Sequence, residues 1–322
     1  MESTQTSGII SRFQIAVLIP CYNEESTIAS VVRDFFSALP NCLVFVYDNN
    51  STDRTVAEAT AAGAIVRRER MQGKGNVLRR MLADVESDVY VMVDGDATYD
   101  ASACPAMVEK LLTEGLDMVN GVRIATGKGA YRRGHRFGNA LLTGLIKLIF
   151  GAGINDILSG YKVMSRRFVK SMPLLSGGFE TETELAIHAL SLRMPIVEMP
   201  TTYRDRPPGS DSKLSTYRDG AKILHAIVWL MKEERPLLFF SIAAIALAAI
   251  AVILAVPVVM TFLETGLVPR LPTAILAASI MLLSFLSLSC GLILDTVTRG
   301  RREMKRMVYL ATLPASTRRT VK

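Results

Sequence analysis

The chain has 322 residues, half of them apolar, with 37 Lys or Arg against 30 Asp or Glu. That much apolar material supports one large core plus an appendage and excludes a disordered chain. The net charge of +7 is local: residues 299–322 hold eight basic residues and one acid, Glu303, so the remainder is neutral and a nucleic-acid partner is not expected.

In chain order, the first dozen residues are polar and give no expectation of a signal peptide or targeting helix. Between residues 15 and 120, short β-branched runs alternate with amphipathic stretches. Residues 15–19, 43–47, 64–67, 89–93 and 118–121 read as strands, and 26–39, 55–62, 76–86 and 103–113 as the helices between them. The alternation predicts an α/β nucleotide-binding domain with a mostly parallel sheet over residues 1–216, whose ligands sit beyond the carboxyl ends of the strands. Cys21, Cys42, Cys104 and Cys290 lack metal-ligand spacing, and disulfides and zinc are not expected. The three histidines, His135, His188 and His225, show no metal spacing either.

Residues 122–155 carry Arg123, Lys128, Arg132, Arg133, Arg136 and Lys147 and no acid. Within this stretch, residues 140–150 are apolar but too few to span a bilayer, which fits a surface or core helix. Residues 217–236 read as a juxtamembrane amphipathic helix, with Trp229 suited to the interface. Residues 237–262 and 271–294 are uncharged and long enough to cross a bilayer, and the short connection makes them a hairpin over 237–294. Lys232 and Arg235 precede it, and Arg299, Arg301, Arg302, Lys305 and Arg306 follow it. Positive flanks place the catalytic domain, the basic tail over 295–322 and both termini in the cytoplasm, on a multi-pass protein of the cytoplasmic membrane.

Four elements stand at strand ends. They are Ile19-Pro20-Cys21-Tyr22-Asn23-Glu24-Glu25, Asp48-Asn49-Asn50-Ser51-Thr52-Asp53, Gln72-Gly73-Lys74-Gly75-Asn76 and Asp94-Gly95-Asp96. Acids after strands are often only turn or capping residues, but four such elements in this order exceed that. Together they resemble a family 2 glycosyltransferase of GT-A fold. The resemblance implies that Pro20, Tyr22 and Glu24 hold the base and ribose, that Asp48 faces the base, and that Lys74 adds positive charge at the nucleotide. Asn49 stands where members often carry a second Asp. Asp94 and Asp96 resemble the DxD signature, implying contact with the ribose and with Mg²⁺ or Mn²⁺ on the diphosphate.

Further motifs narrow the resemblance to the polyprenyl-phosphate branch, similar to dolichyl-phosphate mannose synthases and bactoprenol glucosyltransferases. Asp156-Ile157-Leu158-Ser159-Gly160-Tyr161-Lys162 is similar to its acid followed by Ser-Gly-aromatic-basic, with Asp156 near the acceptor as a base or a positioning group. Glu182 resembles the acid that starts the next helix. Arg206-Pro207-Pro208-Gly209-Ser210-Asp211-Ser212-Lys213 resembles the arm that approaches the donor diphosphate through Arg206 and Lys213, with one extra residue before Ser212. Arg123, Arg132, Arg133 and Arg136 occupy the acceptor loop and imply a lipid-phosphate contact. The single tryptophan rules out a Gln-x-x-Arg-Trp motif and disfavours a processive synthase.

The expected partners are a nucleotide sugar, a polyprenyl phosphate lipid and the membrane, and a homo-oligomer is compatible with the sequence. The expected activity is metal-dependent, inverting transfer of one sugar, UDP-linked, to undecaprenyl phosphate or a similar lipid. A soluble or protein acceptor is the enzymatic alternative, and a non-catalytic membrane scaffold the alternative of another class.

Overall fold

In the computed structural model the described residues are 9–125, 144, 147, 154–174, 181–204, 228, 229 and 231–314. The chain forms two compact units, Met1–Gly220 with Met304–Lys322, and Ala221–Glu303.

The first unit is built on a seven-stranded sheet of order β3-β2-β1-β4-β6-β5-β7. Its strands are β1 (Ile15–Cys21), β2 (Leu43–Asp48), β3 (Ile65–Arg68), β4 (Val89–Met92), β5 (Met118–Ala125), β6 (Lys162–Ser165) and β7 (Ile196–Tyr203). Helices α1 (Ile28–Ala38), α2 (Thr55–Ala61), α3 (Lys74–Asp84) and α4 (Cys104–Thr113) follow β1 to β4 in turn, and α5 (Arg166–Ser171) and α6 (Thr181–Ser191) separate β6 from β7. The sequence-predicted strands and helices of residues 15–120 all appear, shifted by at most two residues at their ends except β5, which runs four residues beyond the expected 121. Ala16, Val17, Leu18 and Ile19 of β1 are fully buried, because a strand covered on both faces is apolar at every position. Each such Val, Leu or Ile contributes about 1.5–3 kcal/mol of transfer free energy.

The sheet is of GT-A type, mostly parallel but mixed. β6 runs antiparallel between β4 and β5, pairing Met92 with Lys162 and Asn120 with Lys162. β7 pairs parallel with β5 and sets Asn120 opposite Glu198. The tail end of α8 (Leu271–Ala311) also belongs to this unit, where the Tyr309 hydroxyl donates to Asp117 at 2.7 Å and the Arg167 guanidinium lies 5.0 Å from the Tyr309 ring centre.

The second unit contains α7 (Pro236–Thr265) and most of α8, both long and apolar enough to cross a membrane. Beyond Pro236 at the start of α7, their buried residues repeat every seven positions, Ala244, Ala251 and Val258 on α7 and Ala277, Ser284, Gly291 and Thr298 on α8. Small residues at this spacing let two helices approach as a left-handed pair. Ser284 and Ser287 donate to the carbonyls of Ala244 and Phe240 at 2.8 and 3.0 Å, and leucines and isoleucines face outward. Gly266, in the left-handed region at φ 70°, ends α7 by donating to the Phe262 carbonyl. α8 does not stop at residue 294 but continues to Ala311, since the basic stretch is rich in helix-forming Arg, Lys, Met and Leu and holds no proline before Pro314. Of the juxtamembrane segment, Val228, Trp229 and residues 231–234 are helical.

Candidate active site

The carboxyl ends of β1, β2 and β4 lie side by side, and their following turns are tied together by side chains. Asn23 donates from its backbone to Ser51 Oγ at 2.9 Å and accepts from the Thr52 backbone at 2.8 Å, while the Glu24 backbone donates to Thr55 Oγ1 at 2.8 Å. Buried Thr27 donates to the Gly95 carbonyl at 2.7 Å, joining the first turn to the third. Three of the non-glycine residues with positive φ, Asn23, Asn50 and Ala97, stand in these turns. A left-handed alanine costs about 1 kcal/mol or more and persists only where its surroundings hold it.

Asp48 ends β2 fully buried. Its Oδ1 accepts from the Ser51 backbone at 3.1 Å, whereas Oδ2 has no hydrogen-bond donor and only the Arg68 guanidinium 3.3 Å away. A buried acceptor left without a donor is costly unless a ligand supplies one. Asn49 is structural: its amide donates to the Glu69 and Met71 carbonyls and its Oδ1 accepts from the Gly73 backbone at 2.7 Å. An aspartate could not make the two donations, which accounts for an amide beside the Gly-Lys-Gly turn.

Lys74 reaches from that turn to Asp94 Oδ1 at 2.6 Å and to Glu182 Oε1 at 2.5 Å. Burial opposes its charge, but the two carboxylates outweigh burial and push its pKa upward. Glu182, from the first turn of α6, thus joins the DxD acids through the lysine. Gly160 makes room, since a Cβ there would collide with the Asp94 carboxylate, and its backbone N–H donates to the Tyr99 hydroxyl at 2.7 Å. Asp96 Oδ1 accepts from the Thr98 hydroxyl at 2.6 Å and from its backbone at 3.2 Å. Among the described residues no three acids, histidines or cysteines form a cage of their own for a metal. Two acids one residue apart fit Mg²⁺ or Mn²⁺ all the same, because such ions take one or two carboxylates and complete their shell with water and substrate phosphate.

On the other side of β4, buried Asp156 is gripped by Arg123, whose Nε and Nη2 donate to the two carboxylate oxygens at 2.8 and 2.7 Å. The Arg123 backbone adds a third bond at 3.1 Å. Sequence reasoning missed what holds this acid in place. Glu198 Oε1 accepts from the backbones of Asn155 and Asp156 at 2.8 and 3.1 Å, and Oε2 from the Asn155 amide at 2.6 Å. Asn120 donates to the Asp156 carbonyl at 2.8 Å and accepts from Lys162 Nζ at 2.6 Å. Lys162 is fully buried, and burial lowers its pKa to about 8 against the pull of Glu182 and Asp156. The available signal was a polar residue within an apolar strand, Asn120 in β5 and Glu198 in β7, since buried polar groups need partners.

Pro20 is partly exposed between buried Ile19 and Cys21 near the end of β1, and Tyr22, just past the strand, is exposed. Arg132, Arg133, Arg136, Arg206 and Lys213 lie outside the described residues, as do most of residues 140–150. His188 packs edge-on against Phe168 and bonds Ser171, far down in pKa at about 3 through burial and then the Lys305 charge.

An α/β sheet of GT-A type with a DxD pair at the end of β4 is the architecture of a glycosyltransferase. Residues 16–172 match the model of glycosyl transferase family 2, and the chain belongs to that family. An uncharacterised Shigella flexneri protein is 56% identical over 155 residues, 48% of this chain and 95% of that protein. Glycosyltransferase AglJ of Haloferax volcanii is 35% identical over 300 residues, 92% of this chain and 98% of its own. A dolichyl-phosphate hexose transferase of the same organism is 30% identical over 221 residues, 69% and 95% of the two chains. Among solved structures, Mycobacterium tuberculosis glucosyl-3-phosphoglycerate synthase with Mg²⁺ and UDP is similar at a TM-score of 0.58 and 26% identity, over 71% of this chain and 82% of that one. The same synthase is also known with Mn²⁺, UDP and glucosyl-3-phosphoglycerate.

Proposed function

We propose that the chain transfers a single sugar from a UDP-linked donor to a polyprenyl phosphate such as undecaprenyl phosphate, with inversion, giving a lipid-linked sugar for cell-envelope glycan or glycolipid modification. One observation carries the reading: from a sheet edge lined by Asp48, Asp94 and Asp96, strand β5 leads into the acid-free basic stretch 122–155. Two membrane-length helices in the same chain and the dolichyl-phosphate relative support a lipid acceptor.

Pro20, Tyr22 and Glu24 flank the base and ribose, and the bare Oδ2 of Asp48 accepts from the base. Lys74, Arg206 and Lys213 face the diphosphate. Asp94 meets the ribose and shares with Asp96 the binding of Mg²⁺ or Mn²⁺, which when bound neutralises the diphosphate leaving group. Arg132, Arg133 and Arg136 take the lipid phosphate, since Arg123 already spends its fork on Asp156. A phosphate monoester has its second pKa near about 6 and is mostly dianionic at neutral pH, so its attack needs no strong base. With both oxygens bound to one guanidinium, Asp156 serves better to orient the acceptor than to take its proton. The hairpin sits with both flanks in the cytoplasm.

The second reading is a soluble phosphorylated acceptor, favoured by the glucosyl-3-phosphoglycerate bound in the similar synthase. The test incubates purified protein and undecaprenyl phosphate with a panel of labelled nucleotide sugars, with and without excess EDTA. Label that moves into the organic phase, and only with metal present, is the expected result. Label confined to water-soluble product favours the second reading, and no turnover with any donor leaves a non-catalytic scaffold.

A further inference from the structure

We propose that Glu198 is a positioning residue for sugar transfer, acting through Asp156. The inference rests on the reading of Asp156 as part of the transfer site. Glu198 lies on β7, two strands from β6, in a row set by the sheet register: Lys162 on β6, Asn120 on β5, Glu198 on β7. Across that row a buried ammonium, an amide and a carboxylate are joined end to end, with Lys162 donating to Asn120 at 2.6 Å and Asn120 to Glu198 at 3.2 Å. The carboxylate end then turns to the loop before β6. It takes both backbone N–H groups of Asn155 and Asp156 and the Asn155 amide, at 2.8, 3.1 and 2.6 Å.

Four donors on one side chain exceed what a strand needs for pairing, and three of them belong to the two residues that end in the Asp156 carboxylate. Only an anion with two acceptor oxygens satisfies them all, because a glutamine would turn an N–H₂ toward a donor. The Asp156 backbone is therefore fixed from below by Glu198, while its carboxylate is fixed from above by Arg123. Loss of the lower hold leaves Asp156 and Arg123 paired but displaced, and displacement of a reacting group by as little as 1 Å costs about a hundredfold.

The experiment is a double-mutant cycle on Glu198→Gln and Asp156→Asn in the full-length protein, reading turnover of UDP-glucose or the donor the panel selects, with undecaprenyl phosphate. UDP titration with Mn²⁺ and thermal melting are read in parallel. Glu198→Gln is expected to lower kcat about tenfold to a hundredfold, the worth of a charge-assisted hydrogen bond, with UDP affinity unchanged. The double variant is expected to be no slower than Asp156→Asn alone, because coupled residues are not additive. Unchanged kcat in Glu198→Gln, additive losses, or a parallel loss of UDP affinity overturns the proposal while Asp156 keeps its role. Full turnover in Asp156→Asn overturns that role and the proposal with it. Should Glu198→Gln not fold, Asn155→Ala, which removes the amide donor to Oε2, goes through the same cycle with the same outcomes.

Discussion

The two halves of the sheet use their charged side chains in different ways. At the ends of β1, β2 and β4 the short contacts run between turns, from Asn23 to Ser51, Thr27 to Gly95 and Asn49 to Gly73, and the acids stand at the strand ends with Lys74, Thr98 and Arg68 beside them. Asp48 even keeps an oxygen without a donor. Along β5, β6 and β7 every charge is met by a neighbour: Arg123 by Asp156, Lys162 by Asn120, and Glu198 by the Asn155–Asp156 backbone. The first leaves a buried acceptor of Asp48 open to a donor. The second is neutralised from within, so its residues act by where they hold one another.

That contrast gives each half its own mutational signature. The largest effect belongs to the acids after β4. Asp96→Asn, or excess EDTA on the native protein, is expected to cut turnover by about a thousandfold, the several kcal/mol that a divalent cation contributes to leaving-group stabilisation. Mn²⁺-dependent UDP binding should weaken with it while the melting temperature holds, and retained turnover would erase the distinction between the halves. Next comes the half of β5, β6 and β7. Arg123→Gln leaves the buried Asp156 carboxylate without its cation and should cost about 3 kcal/mol of stability. In a domain of this size that is about 6–12 °C of melting temperature, with UDP affinity untouched.

Asp48→Asn sharpens the comparison from the donor side. It should weaken UDP binding about tenfold to a hundredfold by titration, the worth of one hydrogen bond to a charged group, without lowering the melting temperature. A drop in stability instead would mean that Asp48 serves β2 and Arg68. The smallest effect is a pH effect at Lys162. Its folded pKa of about 8 lies below the 10.5 of an unfolded lysine, so between those values the unfolded chain binds the extra proton. Charged Lys162 is therefore a penalty present below pH 8 and relieved as pH rises to 10.5. From pH 7.5 to 9.5 the stability of the wild type should gain on that of Lys162→Met by on the order of 2 kcal/mol. A constant gap in denaturant titrations would mean that the ammonium is not held in a desolvated site.

Near-term order along the chain was legible in the residues themselves. The β-branched runs and the amphipathic stretches between them placed the turns that follow the first four strands, and the uncharged stretches 237–262 and 271–294 marked the hairpin, because both signals are local. The mixed character of the sheet was not legible. β6 is a four-residue strand whose direction depends on where the preceding loop enters, and a strand's pairing partners leave no mark in its own composition. The same holds for the extension of α8, whose charged turns end the membrane-length stretch without ending the helix.

The sequence by itself determined the family-type motifs, the acids Asp48, Asp94, Asp96 and Asp156, and the charge map, since residue identity and spacing carry these. Tertiary structure alone decided which charges are spent on one another. Lys74 bridges Asp94 to Glu182 across more than a hundred positions, Arg123 closes on Asp156, and Glu198 reaches back to Asn155. The physical reason is that a hydrogen bond or ion pair depends on distances of about 3 Å between groups far apart in the chain. Sheet register and loop path set those distances, and neither is encoded in any single segment.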